Sequence, residues 1–188
     1  MTQVLVIPAA QNPLKQSGLL LPDEVRLSMA RLALAHVPKV AVLDLELYRE
    51  PPSFSAETLR TLMSIYPRGT FEVALGWDAY CDLPRWHAID RILTLAGLLV
   101  APRAGLSSPP KPPEGILGYL PEMWARRLRP EREGVWVEES GRTVLRYVPL
   151  NLPDMSASGT LAQHTWNNVP QIARPVLFDY LKKAGIVP

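Results

Sequence analysis

The hydrophobic positions of this chain switch repeatedly between two periods. Val4 to Ile7 is an unbroken apolar, β-branched run closed by Pro8. Such runs are strands covered on both faces, as in a parallel sheet. Residues 9–21, with Asn12, Pro13, Lys15 and Gly18, read as a loop. Pro22, Asp23 and Glu24 then open a helix, because proline suits a first turn and acids suit the positive end of the helix dipole. Val25, Met29, Leu32 and His36 fall on one face at helical spacing. Residues 39–45 (KVAVLDL) predict a second strand and residues 46–54 a loop. Ser55 is placed to cap the next helix, with Phe54 and Leu59 as a hydrophobic staple around it. A third strand spans 71–75 (FEVAL) and runs into Gly76, Trp77 and Asp78. A helix over 85–95 and a fourth strand over 97–101 follow. Strands alternating with helices through short connections predict a parallel sheet with right-handed crossovers.

The pattern breaks after Pro102. Residues 102–114 hold five of the chain's 20 prolines, and that density leaves no regular element. A short helix over 121–128 is followed by a hairpin, with strands at 135–137 and 143–148 and a turn near Ser140 and Gly141. Residues 102–150 therefore read as an insertion of loop, short helix and hairpin. The chain closes with a helix near 158–166 and an amphipathic helix near 174–184 stopped by Gly185. No internal repeat interrupts this order, and 188 residues fit one domain.

Composition narrows the classes. Apolar residues make up 47% of the chain, which supports a packed core and argues against disorder. The formal charge of +2 suits a small anionic ligand and is too weak to argue for nucleic acid. Arg126, Arg127, Arg129 and Arg132 form a basic run, but no aromatic or glycine residues are interleaved with it, so a solvated face is the better reading. Cys81 is the single cysteine, which removes any internal disulfide framework and makes a reducing cytoplasm the expectation. No apolar run reaches bilayer length. Neither a dinucleotide-binding G-x-G-x-x-G nor a Walker motif is present.

Segments along the chain, in order, resemble the bacterial nicotinate mononucleotide adenylyltransferases. Residues 7–15 (IPAAQNPLK) resemble that family's strand-loop ending in a basic residue. Residues 46–59 (ELYREPPSFSAETL) resemble its E-L-x-R-x-x-P-S-Y-T-x-x-T-L run. Residues 75–92 (LGWDAYCDLPRWHAIDRI), with Pro102 to Gly105 after them, resemble its G-x-D, L-P-x-W and P-R-P-G stretch. Residues 154–158 (DMSAS) resemble the start of its I-S-S/A-T-x-I-R motif, and residues 176–186 (VLFDYLKKAGI) its terminal helix. The likeness is close over residues 3–105 and looser over 148–187. It implies a Rossmann-like α/β fold of the nucleotidyltransferase type, here without the family's first strand and with the hairpin insertion. It also implies attack of a mononucleotide phosphate on the α-phosphorus of ATP, with pyrophosphate leaving. Such transfers need positioning and positive charge more than covalent chemistry.

The site residues follow from that resemblance. Lys15 stands at a phosphate-contacting position, Trp86 at the position that stacks on the nicotinate ring, and Phe54 and Ser55 at the positions that receive the nicotinate carboxylate. Gly76, Asp78, Arg103, Gly105, Ser156 and Ser158 stand at ATP-binding positions. Each also has a structural explanation: Lys15 as a solvated loop residue, Trp86 as a core aromatic, Phe54 and Ser55 as staple and cap, Gly76 and Asp78 as turn chemistry, Arg103 and Gly105 as an ordinary loop, Ser156 and Ser158 as caps. Trp77 fills a position that is small in the family, where its bulk has room to crowd a ligand.

Two departures bear on activity. Residue 3 already matches the family's second strand, so the His-x-Gly-His signature has no counterpart. His36, His87 and His164 lie outside any such motif. The phosphate-binding arginine of I-S-S-T-x-I-R falls on Leu161, and an apolar side chain cannot replace a bidentate guanidinium. No residue is therefore assigned a catalytic or metal-ligating role, and these 188 residues are expected to transfer little adenylyl group. One reading is an enzyme with its start drawn too late. The other is a diverged, non-catalytic relative that binds a nucleotide or keeps the scaffold alone. Nicotinate mononucleotide and ATP with Mg²⁺ are the implied ligands. Nucleic acid and membrane are not expected partners, and self-association through an open strand edge is an option.

Overall fold

The computed structural model describes residues 2–11, 13–14, 21–102 and 112–148. They fall into two compact units, one running to Phe54 and the other beginning at Ser55.

The first unit is a small parallel pair with one helix. Strand β1 (Val4–Val6) pairs with β2 (Val40–Val42) in register Val4 to Val40 and Val6 to Val42. Helix α1 (Asp23–Leu34) joins them, the right connection for a parallel pair. The expected proline start holds, with Pro22 at the N-cap and Asp23 and Glu24 in the first turn. Two expectations do not hold. Val4 is 56% exposed, so β1 is not covered on both faces within its two-stranded sheet. His36 is exposed and lies past the end of α1, and Leu27 rather than Val25, Met29 or Leu32 is the residue the helix buries.

The second unit holds the main core. Helix α2 (Ser55–Ile65) precedes β3 (Phe71–Gly76), α3 (Trp77–Cys81), a 3-10 turn (Leu83–Arg85), α4 (Ile89–Leu95) and β4 (Ala96–Ala101). The helix expected over 85–95 starts later, at Ile89, because Pro84 falls in the 3-10 turn ending at Arg85 and Ala88 adopts a left-handed conformation just before α4. A second 3-10 turn (Ile116–Tyr119), α5 (Glu122–Arg127), β5 (Arg129–Arg132), β6 (Val135–Val137) and β7 (Thr143–Tyr147) complete the unit. Its five-stranded sheet has the order β3-β4-β7-β6-β5. β3, β4 and β7 are mutually parallel, and β7, β6 and β5 are antiparallel.

The predicted hairpin is therefore not an appendage. Its second strand joins β4 directly, with Leu98 opposite Leu145 and Val100 opposite Tyr147. Gly97 makes the close approach possible, since a Cβ there would meet the Thr143 carbonyl oxygen at 2.9 Å. Strand β5, with Pro130 on the outer edge, carried no apolar signal and was not expected from the sequence. Tyr80, Leu83, Ile92, Leu93, Leu98, Val100, Val144 and Leu145 are fully buried between sheet and helices. Each such side chain is worth roughly 1.5–3 kcal/mol of transfer free energy. Among the described residues, no helix is long and apolar enough to cross a membrane.

Candidate functional site

In α/β units ligands gather at the carboxyl ends of the parallel strands. In the first unit those ends are tied by one side chain. The Ser53 hydroxyl oxygen accepts from the backbone N–H of Ala10 at 3.2 Å and of Gln11 at 3.5 Å. Ser53 donates its own N–H to the Gln11 carbonyl at 3.0 Å. Arg26 of α1 donates to the Ala10 carbonyl at 3.5 Å while paired with Asp23 at 2.6 Å. The turn after β1 is thereby fixed to the loop after β2, directly before Phe54. The sequence did not single out Ser53, because contacts across more than forty residues leave no local signature.

Phe54 is half-buried and ends this unit, and Ser55 opens α2. Ser55 is already helical rather than the flanking cap, a one-residue difference that is ordinary at a helix end. Lys15 lies outside the described residues, as do Arg103, Gly105, Ser156, Ser158 and the two expected C-terminal helices.

In the second unit the carboxyl ends of β3, β4 and β7 are at Gly76, Ala101 and Tyr147. Gly76 closes β3, and Asp78 folds back over it. A Cβ on Gly76 would lie 2.6 Å from the Asp78 carboxylate oxygen Oδ1. Glycine at 76 thus leaves room for the Asp78 carboxylate where β3 meets α3. Trp77 is half-buried beside them in an aromatic group. Its ring centroid lies 5.6 Å from Tyr80, 5.6 Å from Tyr119 and 6.0 Å from Tyr147. Tyr119 and Tyr147 meet it edge to face, each at 79°. The Tyr80 hydroxyl donates to the Ile116 carbonyl at 2.8 Å. Burial pushes the Tyr80 hydroxyl well above the usual tyrosine range, and a hydrogen bond with Cys81 raises Tyr119. Burial also raises Tyr147. The group is consequently neutral at physiological pH.

Trp86 follows the 3-10 turn and packs part of its ring against the core. Its indole nitrogen Nε1 is shielded from solvent and has no hydrogen-bond partner among the described residues. An unpaired buried donor costs about 1–3 kcal/mol, and an acceptor brought by a ligand would recover it. Core packing thus explains the ring and not the N–H.

The four arginines of the basic run are all exposed. Arg126 pairs with Glu122, and Arg127 lies 6.0 Å over the Trp124 ring. This is the solvated face that the sequence indicated. His87 is exposed. Among the described residues, no three His, Cys, Asp or Glu side chains are grouped to hold a metal ion.

Comparison with known proteins agrees with this architecture. No family model matches the chain. A curated nicotinate-nucleotide adenylyltransferase of Dehalococcoides mccartyi is 39% identical over 108 residues, 57% of this chain and 53% of the relative. One of a Roseiflexus species is 44% identical over 103 residues, 55% and 51% of the two chains. One of Bacteroides fragilis is 34% identical over 105 residues, 56% and 52%. The chain spans about half the length of the curated relatives it matches. A nicotinic acid mononucleotide adenylyltransferase of Plasmodium falciparum, solved in complex with NaAD, superposes with a TM-score of 0.60 at 19% identity. The match covers 97% of this chain and 81% of that one. The same protein complexed with APC superposes equally well, with a TM-score of 0.60. The chain thus has the nucleotidyltransferase fold of these enzymes, and its sequence is homologous to theirs over about 55% of its length.

Proposed function

We propose that the chain binds nicotinate mononucleotide and ATP for adenylyl transfer, the reaction that joins the mononucleotide phosphate to the AMP moiety of ATP and releases pyrophosphate. The observation that carries this reading is the homology to curated adenylyltransferases, at 34–44% identity in the three relatives above. Trp86 supports it from the structure: a half-buried indole with an unpaired N–H is chemically suited to lie against a pyridine ring and meet an acceptor on it.

In this reading Phe54 and Ser55 receive the nicotinate carboxylate, and Lys15 contacts phosphate. Gly76 and Asp78 line the ATP side, with Arg103, Gly105, Ser156 and Ser158. ATP enters as its Mg²⁺ complex, since Mg²⁺ is commonly carried by substrate phosphates and water. The reaction takes place in water-accessible cytoplasm.

The test is a calorimetric titration paired with a pyrophosphate-release assay on the same preparation. Saturable binding of nicotinate mononucleotide, with release that requires both substrates, is the expected outcome. Release is slow, because Leu161 stands in place of a phosphate-binding arginine. Binding with no release at all marks a ligand-binding relative, and failure to bind either nucleotide rejects the reading.

A further inference from the structure

The aromatic group around Trp77 has no part in the binding scheme above. Three features set it apart from ordinary core packing. It stands at the carboxyl end of β3, and Tyr147 ends β7, the parallel strand on the far side of β4. Trp77 remains half-buried while Tyr80 behind it is fully buried. Its ring is held on several sides, by Tyr80 from α3, Tyr119 from the second 3-10 turn and Tyr147 from β7. A large flat ring held by its neighbours loses little entropy when something stacks on it. The tyrosine hydroxyls around it stay protonated, so the group presents no negative charge to a phosphorylated ligand.

We propose that Trp77 is a specificity-determining residue whose indole forms the stacking surface for the adenine ring of ATP, with Tyr119 and Tyr147 fixing its angle. This rests on the adenylyl-transfer reading and deepens it. Tyr119 and Tyr147 come from the 112–148 segment, so that segment contributes to ATP recognition in this chain rather than serving as a surface addition. Adenine is the better fit for Trp77 than the pyridine ring, because Trp86 already offers the second aromatic face and an unpaired donor.

The experiment follows tryptophan fluorescence of the full chain during separate titrations with ATP–Mg²⁺ and with nicotinate mononucleotide. Wild type, Trp77→Phe, Trp77→Ala and Trp86→Phe are compared. ATP is expected to quench emission in wild type and Trp86→Phe and to give no quench in Trp77→Phe. Trp77→Phe keeps a ring in the group and guards against misfolding. Calorimetry is expected to show ATP binding about fivefold to about a hundredfold weaker in Trp77→Ala, the range for loss of one base-stacking contact. Affinity for nicotinate mononucleotide should change less than about twofold, the additivity expected where Trp77 makes no contact with the mononucleotide. Equal or tighter ATP binding by Trp77→Ala overturns the proposal, as does a quench that persists in Trp77→Phe. A wild-type chain that binds nicotinate mononucleotide but not ATP overturns it while leaving the mononucleotide site standing. A chain that binds neither overturns both.

Discussion

At the scale of single residues, the chain carries its departures at identifiable atoms. By resemblance, Leu161 falls where the related motif carries a guanidinium, and it offers no charge there. Leu161→Arg is therefore expected to raise pyrophosphate release by about tenfold or more, an effect of roughly 1.4 kcal/mol on the barrier. A steady-state assay with both substrates checks it, and an unchanged rate would show that the arginine position does not limit this chain. Glu138 gives a pH-dependent case. The Arg142 guanidinium donates to its carboxylate at 2.7 Å and, with Ser140, holds it below the usual glutamate range. A carboxyl whose folded pKa is lowered contributes stability that is present above its unfolded pKa and is lost as pH falls through the folded one. Glu138→Gln should thus lower urea stability at pH 7 by about 0.2–1 kcal/mol, the range for a partly exposed pair. The gap between variant and wild type should close toward pH 3. A gap that stays constant with pH would assign the effect to packing.

At the scale of elements, local signals located most of the second unit. The apolar runs at 71–75, 97–101, 135–137 and 143–148 all became strands within a residue or two. What they did not show was partnership. That β7 lies beside β4 depends on Gly97 admitting the Thr143 carbonyl, and that contact spans 46 residues of chain. Strand β5 was invisible because all four of its residues are exposed, so no hydrophobic period marks it. The tight turn between β5 and β6 depends on Gly134, at φ 73°, where a Cβ would sit 2.7 Å from the Tyr147 carbonyl oxygen. Gly134→Ala is expected to destabilise the chain by about 1–3 kcal/mol through left-handed strain and this clash. Thermal melting reads the loss, and a melting temperature within a degree of wild type would contradict it.

At the scale of the whole molecule, the candidate site was legible where chemistry coincides with local pattern. Gly76 and Asp78 at a strand end, Ser55 at a helix start and Trp86 after a proline turn are each visible in a few consecutive letters. The clamp at Ser53 and the ring group of Trp77 with Tyr119 and Tyr147 are not, because they join residues that are neighbours only after folding. The chain is similar in sequence to curated adenylyltransferases over about 55% of its length, and what it does depends on whether the mononucleotide binds. The most direct measurement is a calorimetric titration of nicotinate mononucleotide into the wild-type chain and into Trp86→Ala. Saturable binding with about one molecule per chain, weakened several-fold or more by the substitution, is the predicted result. No heat of binding at millimolar mononucleotide, or equal affinity in the two proteins, would contradict it.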